Sequence, residues 1–400
     1  MTAMWDVVVV GAGPAGATAA RELAAAGRSV LLLDRASFPR DKVCGDGLIP
    51  DALNALRRAG LYDRIAEDGH PLSVLSAFSP RNIRVDVHGE FMTLRRERLD
   101  HILLQAAIER GARFEQARVT ELRADDDGVT AVVGGAGDGP RARIAVVATG
   151  ADVSLLRQAG VAHRSVASAV ALRCYVHSPV TIDALVISFH RSILPGYAWI
   201  FPLGDQQYNV GCGVFYRSGE RGTLNLRETF ATFCRQFPLA RQLLAEARHV
   251  GPLTGARLRC GLDGASACHG RRMLSIGETI GSTFPFTGEG IGKAMETGEI
   301  AARQIHRALA EDDHAHLTMF AEVLDRELAP RYTGYRVAQK WLSHPWLNDL
   351  VAGRVRRSSR LRHAVAGVLN ESVDPRSIFS WRLLVPDWLP WKPRHADSTR

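Results

Sequence analysis

The sequence predicts an α/β fold that begins with a Rossmann-like dinucleotide-binding unit, and three neighbouring features predict it. Val7–Val10 is an unbroken β-branched run, suited to a strand buried on both faces. Gly11, Gly13 and Gly16 then form GxGxxG, with Pro14 and Ala15 opening an alanine-rich helix. A second apolar run, SVLLLD, ends on Asp34, 18 residues after Gly16. Gly11 permits the tight turn, Gly13 lets backbone approach a pyrophosphate, and Gly16 lets helix and strand pack closely. The helix N-terminus stabilises phosphate charge, and Asp34 is placed for ribose hydroxyls. Gly11, Gly13, Pro14, Ala15, Gly16 and Asp34 are therefore the first cofactor-binding candidates.

The chain is long enough, at 400 residues, for two or three structural units around a large core. With 46% apolar and 23% charged residues its composition is that of a globular protein. No apolar run reaches the roughly 18 residues of a spanning helix, and the start lacks the pattern of a secretory signal. The six cysteines, with no CxxC spacing, read as reduced thiols, and neither a disulfide framework nor a metal site is expected. The expected location is the cytoplasm, with peripheral attachment to the inner face of the membrane left open.

The choice between dinucleotides comes from MLSIGETIGSTFPFTGEGIGKAMETGEI, residues 273–300. A short strand is expected to end at Gly277-Glu278, and after a Pro/Gly-rich loop Gly290, Ile291 and Gly292 open another helix. An acid at a strand end suits the ribityl hydroxyls of a flavin. A helix N-terminus suits the pyrimidine edge of its ring, where negative charge collects on reduction. A purely structural helix start is the alternative for this segment.

Three motifs in order then carry a resemblance. FPRDKVCGDGL (38–48), the Tyr197-x-Trp199-x-Phe201-Pro202 stretch followed by Asn209-Val210-Gly211-x-Gly213, and PFTGEGI (285–291) together resemble the geranylgeranyl reductase family of flavoproteins. The resemblance spans about residues 5–310. It implies FAD and the para-hydroxybenzoate hydroxylase-like fold, a flavin domain with an inserted antiparallel-sheet substrate domain. It places Ala15 and Gly16 at the pyrophosphate, and Cys44, Gly45 and Gly47 in the loop near the isoalloxazine. Arg96 is implied as a FAD contact, Val119 as an adenine contact through its backbone, and Glu278, Gly290 and Ile291 at the ribityl chain and ring. Glu278 replaces the family's usual aspartate, and Thr149 precedes Gly150 where an aspartate is usual.

On this frame, the flavin domain is expected over 1–70, 96–165 and 269–310, the substrate sheet over 71–95 and 166–268, and a helical C-terminal region over 311–400. Two glycine-rich stretches, 132–140 and 211–213, lack a following helix, so a second nucleotide site is not expected. Electrons would then come from transiently bound NAD(P)H or from a protein donor.

For the chemistry, Tyr197, Trp199 and Phe201 alternate in a strand and share one face. That face is either sheet core or the wall of an apolar pocket; with Pro202 these residues are the substrate-binding candidates. Cys44 is read as a proton donor or flavin-tuning group, or as a small residue in a turn. Lys42 is read as a phosphate ligand, or as the partner of Asp41 or Asp46. His163, His177 and His190 stand alone, so no catalytic dyad is expected. The leading function is FAD-dependent reduction of carbon–carbon double bonds in a prenyl or similar apolar lipid. The alternatives are a flavin monooxygenase, halogenase or dehydrogenase, and a non-catalytic flavin electron carrier or redox sensor.

The formal charge is +8, and much of the surplus lies in GRVRRSSRLRH (353–363). This is a solvated helix face, or a docking face for an anionic membrane or an acidic protein partner; nucleic acid is not expected, since no recognition module accompanies it. Trp381, Trp388 and Trp391 suit either an interfacial segment or a tail packed over the substrate domain.

Overall fold

The computed structural model describes residues 4–134, 139–162, 164, 166–216 and 224–381. In the first of two sheets, Trp5–Val10 lies between Val30–Asp34 and Arg141–Val147, all parallel, with Arg113–Gln116 and Met273–Ser275 extending the sides. Val7 and Val9 pack among residues of helices Pro14–Ala25 and Ile291–Glu311. Val8 packs on the opposite face against the antiparallel pair Val119–Ala124 and Val129–Val133. Coverage on both faces is why the run tolerates no polar residue; each valine so buried contributes about 1.5–3 kcal/mol relative to exposure. The glycine-rich stretch 132–140 joins Val129–Val133 to its antiparallel partner Arg141–Val147, and its central residues 135–138 lie outside the described residues.

The second sheet has nine strands drawn from distant stretches: Gly47–Leu48, His70–Phe78, Arg84–Thr93 and the strands between Ala169 and Leu258. It is antiparallel except where Leu185–Ser188 runs parallel to His70–Phe78. That single parallel pair makes the sheet mixed, because the chain leaves it after Thr93 and re-enters at Ala169. Its central hairpin pairs Gly196–Gly204 with Gln207–Phe215. Ala198 and Ile200 point into a core with Phe230 and Phe233 of helix Leu226–Gln236 and Phe237, which joins it to helix Pro238–Ala245. The alternate residues Tyr197, Trp199 and Phe201 are left to face the first sheet.

Beyond Glu311 the described chain is mainly helical, through Ala315–Thr318, Phe320–Glu327, Ala329–Leu342, Pro345–Arg357 and Ser359–Leu369. The last two helices lie across Arg84–Thr93, joining Val351 and Val355 to Val85 and Val87 in one core. Asp349 fixes the crossing by accepting from Ser79 Oγ at 2.7 Å and from the Arg81 N–H at 2.9 Å. No described helix is long and apolar enough to cross a membrane. Trp381 is exposed and rests against Trp341 and Trp346; Trp388, Trp391 and His163 lie outside the described residues.

Candidate active site

A cavity of about 800 Å³ runs between the two sheets, from the Gly11–Asp34 turn to the C-terminal helices. At its nucleotide end, helix Pro14–Ala25 starts at Gly13 with no side chain capping its amides, so its first-turn N–H groups face the cavity free for phosphate. A Cβ on Gly13 would meet only Arg40, at 3.8 Å, whereas one on Gly11 would strike the Ala148 carbonyl, at a φ of +107°. Gly16 is pressed against the Gly11 carbonyl and does not line the cavity, which leaves it the packing task of the fingerprint. Asp34 accepts from the Ala12 N–H at 2.8 Å and the Ala36 N–H at 2.9 Å. It thus ties the turn together and still presents lone pairs for a ribose. Val119 lines this end beside Ala117 and Arg118. An uncapped helix start, a glycine with open space above it and an acid at the strand end fit an adenine dinucleotide.

The loop from Arg40 to Gly47 forms the middle of the cavity, and sequence reasoning missed how it is held. Asp46 adopts a φ of +62° and is fully buried. Its carboxylate accepts from Tyr175 OH and Asn209 Nδ2, both at 2.8 Å, and from the Arg96 N–H at 3.2 Å. Burial nonetheless pushes its pKa up. Asn209 also donates to the Cys44 carbonyl at 2.8 Å, and its Oδ1 accepts from the Trp199 indole N–H at 2.8 Å. One amide therefore fixes both the loop and the tryptophan. A buried asparagine inside a strand is a signal in itself, because such positions favour apolar and β-branched residues.

The aromatic face is both core and wall. Trp199 is 6% exposed, and all three rings line the cavity. A Cβ on Gly45 would come within 3.3 Å of Phe201 and one on Gly47 within 3.0 Å, so glycine lets the loop lie against these rings. Tyr197 donates to the Thr287 carbonyl at 2.7 Å, bridging to the PFTGEGI loop. Pro202 does not reach the cavity: it is buried, and its carbonyl accepts from Thr93 Oγ1.

Lys42 lines the cavity, and the expected pairing with Asp41 or Asp46 is corrected by the structure. Its ammonium lies 3.8 Å from Glu278, while Asp41 is bound by Arg173 at 2.8 Å and Asp46 by the network above. Glu278 also accepts from the Arg259 N–H at 3.3 Å and sits on a 3₁₀ turn, Gly277–Ile280, rather than at a strand end; the strand stops at Ser275. The longer glutamate reaches from that turn to Lys42. Thr149, where the family usually has aspartate, spends its hydroxyl on the Asp152 carbonyl.

Arg96 lines the cavity with its guanidinium bound bidentately to Asp100 at 2.8 and 2.9 Å and directed at the Cys44 thiol. Burial raises the Cys44 pKa and outweighs that cation, so the thiol stays protonated near neutrality. His190 bonds its own Ser192, as a residue outside any dyad does. Gly290 caps helix Ile291–Glu311, and both it and Ile291 line the cavity. Gly292 does not; its N–H donates to Glu289 at 2.8 Å, and a Cβ there would strike Asp51.

The far end is mainly aliphatic, with Ser79 and Asn348 as polar residues in its lining. Val85, Val87, Leu185 and Ile187 of the second sheet face Val351, Ala352, Val355, Val365 and Leu369 of the C-terminal helices. No motif marked those helices as part of the site.

A family model described as FAD binding domain matches residues 4–152. Menaquinone reductase of Mycolicibacterium smegmatis is 33% identical over 74% of this chain and 75% of its own length. Digeranylgeranylglycerophospholipid reductase 2 of Methanopyrus kandleri is 30% identical over 77% and 78%. Among solved structures, a geranylgeranyl bacteriochlorophyll reductase-like protein of Thermoplasma acidophilum superposes with a TM-score of 0.78, at 20% identity over 91% of this chain and 96% of that one. A flavin-dependent brominase superposes at 0.75, with 19% identity over 92% and 94%; these two likenesses bear on the fold alone.

Proposed function

Since this chain belongs to the geranylgeranyl reductase family of FAD-dependent oxidoreductases, we propose that it saturates carbon–carbon double bonds in the prenyl chain of an isoprenoid lipid or quinone. One observation carries the reading: the nucleotide end opens into an arm lined by aliphatic residues and closed by the C-terminal helices. Such an arm suits a hydrocarbon chain and gives few partners to a polar substrate. Reduced FAD supplies the hydride. The protein then has three tasks. The Tyr197–Trp199–Phe201 face orients the double bond, the aliphatic arm excludes water, and the protonated Cys44 thiol is the proton source on this reading. Lys42, paired with Glu278, holds the loop edge. The names of the relatives, menaquinone reductase and digeranylgeranylglycerophospholipid reductase, agree with an apolar acceptor. On this reading the domain limits expected from the sequence divide cofactor from substrate binding. On this reading the arginines between Arg354 and Arg362 dock the helices that close the arm onto an anionic membrane.

The test is anaerobic reduction of the FAD-loaded protein, addition of a prenylated quinone or a geranylgeranyl lipid, and mass analysis. A gain of two hydrogens per turnover is expected. A product carrying oxygen or halogen only after air is admitted would replace this reading with the monooxygenase or halogenase one. Trp199→Ala should keep its FAD and lose at least about tenfold in turnover (about 1.4 kcal/mol).

A further inference from the structure

Glu289 is buried in the loop before helix Ile291–Glu311, where it lines the cavity. Its carboxylate occupies the cradle formed by that helix's first amides, accepting from the Gly292 N–H at 2.8 Å. The family resemblance points the same helix start at the pyrimidine edge of the flavin. Reduction would therefore place a second negative charge beside the Glu289 carboxylate, in a site that water does not screen.

The surrounding charges cannot neutralise both. Lys293, on the same helix, is 3.1 Å from Asp51 and 2.9 Å from Glu371, and is also paired with Glu296. Arg331, from helix Ala329–Leu342, is committed to Glu296 and Glu371, each at 2.9 Å. Four carboxyl groups (Asp51, Glu289, Glu296 and Glu371) thus share two cations, Lys293 and Arg331. What resembles a three-carboxylate metal site at Asp51, Glu296 and Glu371 has the Lys293 ammonium bound to each of its members. The remaining titratable groups near Glu289 are the phenols of Tyr197 and Tyr335, which burial keeps protonated. Asp51 Oδ2 is buried without a hydrogen-bond partner. Burial also raises the Glu289 pKa, to about 7, so the group exchanges its proton close to neutrality.

We propose that Glu289 is the redox-linked proton acceptor of this site, ionised opposite oxidised flavin on the alkaline side of neutrality and taking up one proton when the flavin is reduced. In balance, the flavin gains two electrons and one proton, and the Glu289 carboxylate gains one further proton from solvent to become the acid. Two protons then enter per two electrons, and the reduced cofactor faces a neutral group. The inference rests on FAD binding in the cavity and not on the identity of the lipid, so a protein that reduces no prenyl chain leaves it intact.

The test is anaerobic potentiometric titration of the FAD-loaded protein on the alkaline side of neutrality, where Glu289 is ionised before reduction. The midpoint potential of the wild type should fall with pH about twice as steeply as that of Glu289→Gln, which keeps only the flavin's own proton. Equal slopes overturn the proposal. Reduced-minus-oxidised infrared spectra of the unaltered protein supply a readout that needs no variant to fold. A C=O stretching band of a protonated carboxylic acid, shifting in D2O, should appear on reduction, and its absence overturns the proposal. That band should survive in Asp51→Asn and vanish in Glu289→Gln; the reverse pattern moves the proton to Asp51 and overturns the assignment.

Discussion

At its nucleotide end the cavity is built around residues close together in the chain, Gly11 to Asp34, with Ala117–Val119 beside them, held by backbone geometry and a few hydrogen bonds. At its far end the wall is assembled from Val85, Leu185, Val351, Val365 and Phe379, which meet only because the C-terminal helices cross the second sheet. The first end tolerates almost no substitution, since glycine freedom and a carboxylate each have one task. The second asks only for aliphatic volume and accepts many residues. Cofactor recognition and acceptor recognition are thereby separable, and variants at the two ends should fail in different ways.

The largest effect is expected at the first end. Gly11→Ala would drive a Cβ into the Ala148 carbonyl at a φ that side chains rarely adopt. We expect loss of bound flavin, read as the visible absorbance of the purified protein, and a stability cost of about 3 kcal/mol in urea unfolding. A yellow Gly11→Ala protein of unchanged stability would show that the turn is not the cofactor cradle.

The contrast also explains what the sequence made legible. Strand, turn, helix and ribose acid are local, so GxGxxG and Asp34 announce them, and a strand buried on both faces needs a run like Val7–Val10. The aromatic strand was legible by alternation, which put Tyr197, Trp199 and Phe201 on one face, where they line the cavity. Pro202, one step out of that alternation, turns away from it. The clamp of Asn209 on Cys44 and Asp46 was not legible, because it joins residues more than 160 positions apart. Nor was the aliphatic arm, since Val351 and Leu369 look like any helix core until the sheet they cover is known.

Between the two ends, Glu289 gives the next largest effect. Its folded pKa of about 7 lies above the ordinary value of 4.5, so the native state holds a proton that the unfolded chain releases. The stability due to that proton is full below about pH 4.5 and is lost as pH rises through 7. Glu289→Gln removes this dependence. Relative to the wild type, the variant should gain about 3 kcal/mol between pH 4.5 and pH 7.5, read from urea midpoints of the FAD-loaded proteins. Asp51, whose pKa is raised in the same sense, leaves a residual slope in both. Parallel pH profiles for the two proteins would mean that Glu289 is ionised throughout.

The smallest effect belongs to the far end. Ala352 is 9% exposed on helix Pro345–Arg357, and its side chain faces the aliphatic arm. Ala352→Phe adds an aromatic ring where the arm is deepest among the C-terminal helices, without touching the nucleotide end or the Asn209 clamp. Flavin content and the rate of flavin reduction should stay as in the wild type. The kcat/KM for a long prenyl chain should fall about tenfold (about 1.4 kcal/mol), while a short-chain analogue that stops before the helices should be unaffected. The chain-length dependence is the decisive quantity, because a general loss of activity would follow from any repacking of these helices. Equal losses for long and short acceptors would mean that the arm holds no substrate, and would leave its aliphatic lining as the core of the helical region alone.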